Sequence, residues 1–511
     1  MENLKKRIKQ PAYSAAIISF IFGFMVHLYG LVNTMHNHDD INNQPSGFGT
    51  GVESGRWLLT MLGQYFQEAT GNYDLTLLNG VIYIAFLALC VGFIVATFKL
   101  KSRKLGALVG MVFVVFPTAT CTLLFRYTAP YYGLSILMAV LAVWVIGRTK
   151  LAFLLSAVLT AMSLGIYQAY LPLTASLFVL LLLKQTLEED LNAFAMIKRG
   201  IYYCGTMIAG LVIYYVVLQL SLNYYGKELL DYQGISSMGK LPLSDLFGLI
   251  NTAISAYGDL ITKDYYTLAQ TDLLRTSYLL IYVIFAAIVV VSCVCKKRQL
   301  NTLISVVFLC VALLVAGNLI VVMCPNSDIR TLMIYSLVIV PWAPMLLIEN
   351  LPPCPTPVRK LMNLTRKGLI VIVCLVVFSY SYLTQVNYTA QYYATRQMEN
   401  YMTALVTQVR MTEGFDTEKE WAFIGYAHDP LFNNKWMYSK VYTDNTNAKY
   451  MFNSYSRTSW LKHYFGYTVN VASNHRIDQL KAMEEVKNMP VWPNDGSIKI
   501  IDNTIVIKFQ Q

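Results

Sequence analysis

"NTMHNHDDINNQPSGFGTGVESGRWLL", residues 33–59, stands where the first apolar run of the chain ends. It holds His36, His38 and an aspartate doublet, Asp39-Asp40, ahead of a glycine-rich turn and Arg56. What flanks it decides how it is read. Residues 11–33 upstream and 74–98 downstream are both apolar and long enough to cross a bilayer, which takes about 20 residues. The doublet therefore falls in a loop between two spans, where a desolvated carboxylate is costly unless something uses it.

The same pattern recurs outward from this loop. The chain has 511 residues, 56% of them hydrophobic and only 14% charged, and a mean hydropathy of +0.46. Further apolar runs occupy 105–124, 129–147, 151–167, 170–183, 201–222, 276–295, 301–323, 331–349 and 367–384, about eleven spans in all. This excludes a soluble enzyme and predicts an α-helical polytopic membrane protein. Basic residues collect in cytoplasmic loops. With the N-terminus inside, each inner loop has its cluster, from Lys99, Lys101, Arg103 and Lys104 to Arg359, Lys360, Arg366 and Lys367. Eleven spans then leave the tail outside. The net charge of +11 is thus topological, and the tail is nearly balanced, so no nucleic-acid partner is indicated.

Residues 54–69, within the outer loop 34–73, carry Trp57, Leu58, Met61, Leu62, Tyr65 and Phe66 on one face and Arg56, Thr60, Gln64 and Gln67 on the other. That spacing predicts an amphipathic helix along the membrane surface. A second amphipathic stretch is 184–199, and a long outer loop spans 223–275. From 385 onward "EWAFIGY" and "IKIIDNTIVIKF" read as strands, the latter a hairpin turning at Asp-Asn, and 396–412 and 476–488 read as helices. The expectation is a membrane domain over 1–384 and a small α+β extracytoplasmic domain over 385–511. The nine cysteines lie in or beside the spans, and Cys293-x-Cys295 lacks the second pair a zinc site needs.

Arg126, in "FRYTAPYYG", and Arg330, in "CPNSDIRTLMIY", sit at outer span ends, against the inward bias of basic residues. A guanidinium there suits phosphate oxygens. A snorkelling arginine is the plainer reading of either one alone. Tyr167, Gln168 and Tyr170, in "SLGIYQAYLP", fall at an outer turn; an aromatic belt accounts for the tyrosines but not for Gln168. His36, His38, Asp39 and Asp40 are competent ligands for a divalent metal, though their spacing matches no closed site.

"HDD" after the first span, "GRWL" on the surface helix, "FRYTAPYYG", "SLGIYQAYLP" and an outer C-terminal domain together resemble bacterial membrane glucosyltransferases. These are the serotype-converting Gtr type II enzymes of O-antigen modification, within the GT-C superfamily. The resemblance implies a GT-C-like membrane domain in the bacterial plasma membrane, a polyprenyl-phosphate-linked sugar as donor, a lipid-linked or cell-wall glycan as acceptor, and inversion at the anomeric carbon. It implies an acidic base in the first outer loop, either Asp39 or Asp40. Such a transfer needs a carboxylate to take the acceptor's proton and cations where charge grows on the departing phosphate. Arg330, Arg56 and Arg126 meet the second demand, and Tyr127, Tyr167, Gln168 and His38 become candidate substrate contacts. No Gly-rich phosphate loop is present, and the inner loops are too short for a nucleotide-sugar domain, so the sugar would arrive on lipid. A glycan polymerase or a flippase is the alternative.

Overall fold

The computed structural model describes residues 10–42, 51–70, 75–189, 191–230, 243–296, 299–325, 327–426, 441–442 and 456–510. The basic N-terminal residues Lys5 to Lys9 and part of loop 223–275 lie outside the described residues. The chain divides into two units: Met1–Val32 with Phe48–Gln385, and Asn33–Gly47 with Val386–Gln511.

Most expected apolar runs in the first unit form α-helices, but 331–349 is a series of 3₁₀ turns leading into the short α-helix Ile339–Leu347, and 105–124 and 301–323 are interrupted at Phe116 and Asn318. Among the described residues seven helices are long and apolar enough to cross a membrane, and Arg103–Val115 with Pro117–Leu123 makes an eighth when taken as one span bent by 46°. Three more apolar helices, Ala129–Trp144, Ala152–Ile166 and Tyr335–Leu347, are shorter. Of the about eleven spans expected, seven or eight thus have the length and hydropathy to cross.

The packing is inside out by the standard of a soluble protein. On Pro11–Val32 the buried residues are small or polar except for Leu31, among them Ser14, Ala15, Ser19, Gly23 and His27, while Ile17, Ile21, Met25 and Leu28 are exposed. Small residues let apolar helices approach closely, which is how helices associate where lipid is as apolar as leucine. A Cβ on Gly110 would collide with Ser19 Oγ, so this contact admits only glycine. The bend at Pro117 has a local cause. Proline offers no N–H to the Phe113 carbonyl four residues back. Tyr335 supplies the missing donor, its hydroxyl 2.8 Å from Phe113 O. At the edge where the basic loops gather, Glu349 accepts from the amides of Lys101 and Ser102, 2.7 and 2.9 Å away, and from Arg366 at 3.0 Å. Its charge thereby caps the N-terminus of Arg103–Val115.

Two expectations change here, and a third gains detail. The surface helix runs Trp57–Thr70 as expected, and its first turn is buried all round, Trp57, Leu58 and Leu59 as well as Thr60. Arg56 and Thr60 are buried, whereas Met61, Tyr65 and Phe66 are 52%, 67% and 45% exposed. An apolar face left open is what a bilayer surface would cover. The stretch 184–199 is not one amphipathic helix. Leu171–Glu188 ends there and Ala193–Tyr225 begins, because Asn192 Oδ1 caps the Ala195 amide at 2.8 Å. Leu187 and Leu191 are buried while Phe194 and Ile197 are exposed. Finally, the span 367–384 and the helix 396–412 are parts of one helix of 56 residues, Thr356–Met411.

The second unit holds a three-stranded sheet in the order β1-β3-β2, with β1 Glu420–Ile424, β2 Ile498–Ile501 and β3 Thr504–Lys508. β1 runs parallel to β3, and β2 antiparallel to it. The β2–β3 turn is Asp502-Asn503, with φ of 45° and 63°. That is the type I′ geometry expected of the Asp-Asn pair. The helix expected over 476–488 is split into Asn474–Ala482 and Glu484–Lys487 by an extended Met483. Lys508 is buried, and its Nζ donates to the carbonyls of Val486, Lys487 and Met489 at 2.9, 2.6 and 2.8 Å, holding this helical turn on the sheet.

Candidate active site

In the first unit, the turn Val52–Ser54 delivers the chain into the surface helix through Gly55 and Arg56. Gln168 fixes this turn. Its Nε2 donates to Ser54 O and to the Tyr214 hydroxyl, each at 3.0 Å, and Tyr214 in turn donates to Gly55 O at 3.0 Å. Gly55 has φ +74°, and a Cβ there would lie 2.5 Å from both Gln168 Nε2 and Tyr214 Oη. Gln168 therefore has a definite task, which an aromatic belt did not supply: it positions the residue before Arg56.

Arg56 is 9% exposed. Its Nη1 donates to the Tyr132 hydroxyl at 3.2 Å, and its guanidinium lies over the Tyr167 ring, 5.0 Å from the centroid. Tyr132 and Tyr167 stack on one another at 4.6 Å, with Tyr170 edge-on to Tyr167 at 5.2 Å. The Tyr132 hydroxyl and the Tyr167 ring fix the direction of the guanidinium. Of the sequence candidates, Arg56, Tyr167 and Gln168 are thus brought together. Tyr132, Tyr214 and Gly55 complete the set. Nothing in the sequence singles out Tyr132 or Tyr214, although a glycine directly ahead of Arg56 was a visible cue.

Arg126 is 1% exposed and lies in the turn between Pro117–Leu123 and Ala129–Trp144, beside the buried Tyr127. Arg330 is different. Its side chain is 52% exposed and pairs with Asp328, Nε to Oδ2 3.1 Å. The next residue anchors it: Thr118 Oγ1 donates to Thr331 O at 2.7 Å, and the Thr331 hydroxyl meets Thr267 Oγ1 at 2.9 Å. Two of the three arginines are buried and one is at the surface.

The aspartate doublet belongs to the second unit. It forms the short helix His38–Asn42, whose amides at Asp39 and Asp40 donate to Asn37 Oδ1 at 2.8 and 3.0 Å. The two carboxylates are placed unequally. Asp40 is fully buried, while the Asp39 side chain is 30% exposed and lies 3.4 Å from His38 Nε2. Ile41 enters the core with Trp460 and Leu461, Ser459 Oγ bonds Asn42 Oδ1 at 3.2 Å, and the His36 amide donates to Thr395 Oγ1 at 3.1 Å. His36 sets its ring edge-on to Trp460 and Tyr464, and no group of three or more His, Cys, Asp or Glu among the described residues is placed to hold a metal.

A bundle of long apolar helices with small polar contacts inside and bulky apolar side chains outside marks the chain as a membrane protein. A family model described as glucosyl transferase GtrII matches residues 28–341, more than half of the chain, and the protein belongs to that family. It is accordingly a glycosyltransferase. The match takes in the aspartate doublet and all three arginines. No curated protein and no solved structure gives a match.

Proposed function

We propose that the protein transfers a sugar, glucose by its family, from a polyprenyl-phosphate donor to a cell-surface glycan at the outer face of the bacterial plasma membrane, with inversion. The observation that carries this reading is Arg56. It is a buried cation aimed by Tyr132 and Tyr167, at the start of a helix that leaves Met61, Tyr65 and Phe66 exposed. A phosphate held at the membrane surface by its lipid needs its cations at that level, and a fixed guanidinium stabilises the leaving phosphate without reorganising. Arg330, exposed and anchored through Thr331, is the second phosphate contact, and Arg126 adds positive charge behind them. Asp39 is the general base, since it is the carboxylate that reaches solvent. Asp40, buried in the same short helix, holds that helix in place. A GT-C-type membrane domain and eleven crossings follow from the same reading.

The test is turnover by the purified full-length protein in liposomes with polyprenyl-phosphate-glucose and a glycan acceptor. Loss of a positioned base costs about 10²–10⁴-fold in rate. We expect Asp39→Asn to fall by that factor with donor binding retained, and Arg56→Gln and Arg330→Gln to weaken both binding and rate. Full activity of Asp39→Asn together with loss in Asp40→Asn would reassign the base. Absence of any transfer by folded protein would favour a polymerase or flippase. Inhibition by EDTA would bring His36 and His38 back as metal ligands.

A further inference from the structure

The second unit contains a cation that the proposed transfer leaves unused. Arg457 opens the helix Arg457–Phe465, is 8% exposed, and lays its guanidinium over the Phe423 ring at 4.2 Å. Its Nε is buried without an acceptor, and no carboxylate among the described residues pairs with it. Burial pulls its pKa down to about 10, and the charge of nearby Tyr426 only partly opposes this. One turn further, Trp460 Nε1 is buried without an acceptor, as is Trp492 Nε1, and both rings share a core with Phe423. Ser456, ahead of the helix, makes no side-chain cap, so the first amides keep their donors.

Buried polar groups are normally satisfied, and a buried cation without a counter-charge is destabilising. Here Arg457 Nε, Trp460 Nε1 and Trp492 Nε1, around one aromatic core, are all donors. What is missing is an acceptor, and a charged one best offsets the guanidinium. We propose that Arg457 and the N-terminal amides of Arg457–Phe465 form a binding site for an oxyanion carried on a saccharide, either the carboxylate of a uronic acid or a sugar phosphate. The helix N-terminus adds partial positive charge toward the same ligand. Tyr426, 60% exposed and close enough to act on Arg457, offers an aromatic face to the C–H side of a sugar ring. The site gives the tail unit a role in selecting an acidic glycan, separate from the transfer chemistry.

Binding rather than turnover tests it, so its failure is distinct from failure of the transferase reading. The full-length protein in detergent would be titrated by calorimetry with an oligogalacturonate, a neutral maltooligosaccharide of equal length, and inorganic phosphate. We expect the acidic oligomer to bind at least about tenfold more tightly than the neutral one, a difference of about 1.4 kcal/mol. Arg457→Met should abolish that preference. Phosphate that binds alone and displaces the oligomer would assign the site to phosphate; phosphate that does neither would assign it to the carboxylate. The variant also separates ligand binding from structure. Met keeps an apolar stem over Phe423 and removes an uncompensated charge, so the thermal midpoint should hold or rise. A marked fall in midpoint would make Arg457 a structural residue and overturn the proposal. So would equal binding of acidic and neutral oligomers, no binding of either, or binding that Arg457→Met leaves unchanged.

Discussion

Replacing Gly55 by alanine is the sharpest test of how Arg56 is aimed. The residue sits at φ +74°, where an L side chain costs about 1–2 kcal/mol. The new methyl would also lie 2.5 Å from Gln168 Nε2 and Tyr214 Oη, so both must move. That endangers the bonds from Gln168 to Ser54 O and from Tyr214 to Gly55 O, each worth about 1 kcal/mol net. The sum is about 3–4 kcal/mol, concentrated one residue from the guanidinium. The assay is thermal unfolding of the detergent-solubilised protein, with transfer measured in parallel. Gly55→Ala should unfold at a clearly lower temperature and transfer poorly. Gln168→Ala, alone, removes one bond and should be milder. In the double variant the shortened side chain makes room for the methyl, so its loss should be smaller than the sum of the two singles, the mark of directly coupled sites. A Gly55→Ala protein with native midpoint and rate, or strictly additive effects, would refute the account of this turn.

Other variants test the remaining supports. Lys508→Met strips three carbonyls of their common donor and should destabilise the tail unit by about 2–4 kcal/mol, seen as earlier proteolysis within 386–511. Asn37→Ala removes the acceptor for the Asp39 and Asp40 amides; it should cost about 1 kcal/mol and lower turnover more than donor binding. Glu349→Ala unlinks Arg366 from the amides of Lys101 and Ser102. It should lower the unfolding temperature of the membrane unit without changing the rate at native temperature, and unchanged unfolding would show the cap to be idle.

Much of this was legible in the residues because hydropathy acts locally. Most expected apolar runs are α-helical, and Asp502-Asn503 turns the hairpin as its chemistry requires. Boundaries failed where hydropathy and helicity part company. Apolar character fades after about residue 384, but backbone bonds from one turn to the next do not need it, so Thr356–Met411 continues. At 184–199 an apolar period persisted across Glu189–Asn192, and a single Asn cap outweighed it. Arg56 and the aspartates were visible as residue types out of place. Their surroundings were not: Gln168 meets Ser54 across more than a hundred residues, and Asn42 meets Ser459 across more than four hundred.

That last separation has a bearing on how the protein is made. Ile41 is synthesised more than four hundred residues ahead of Trp460 and Ile505, with which it shares a core. At about 5–20 residues per second, a ribosome needs roughly 20–80 s to pass from one to the other. Throughout that interval the peptide around Asp39 lacks the neighbours that shape it, and β1 likewise waits for β3. A chain halted in translation would insert its early helices yet leave this acidic peptide unfolded. Premature stop codons anywhere in the tail should therefore yield protein that reaches the membrane but transfers nothing.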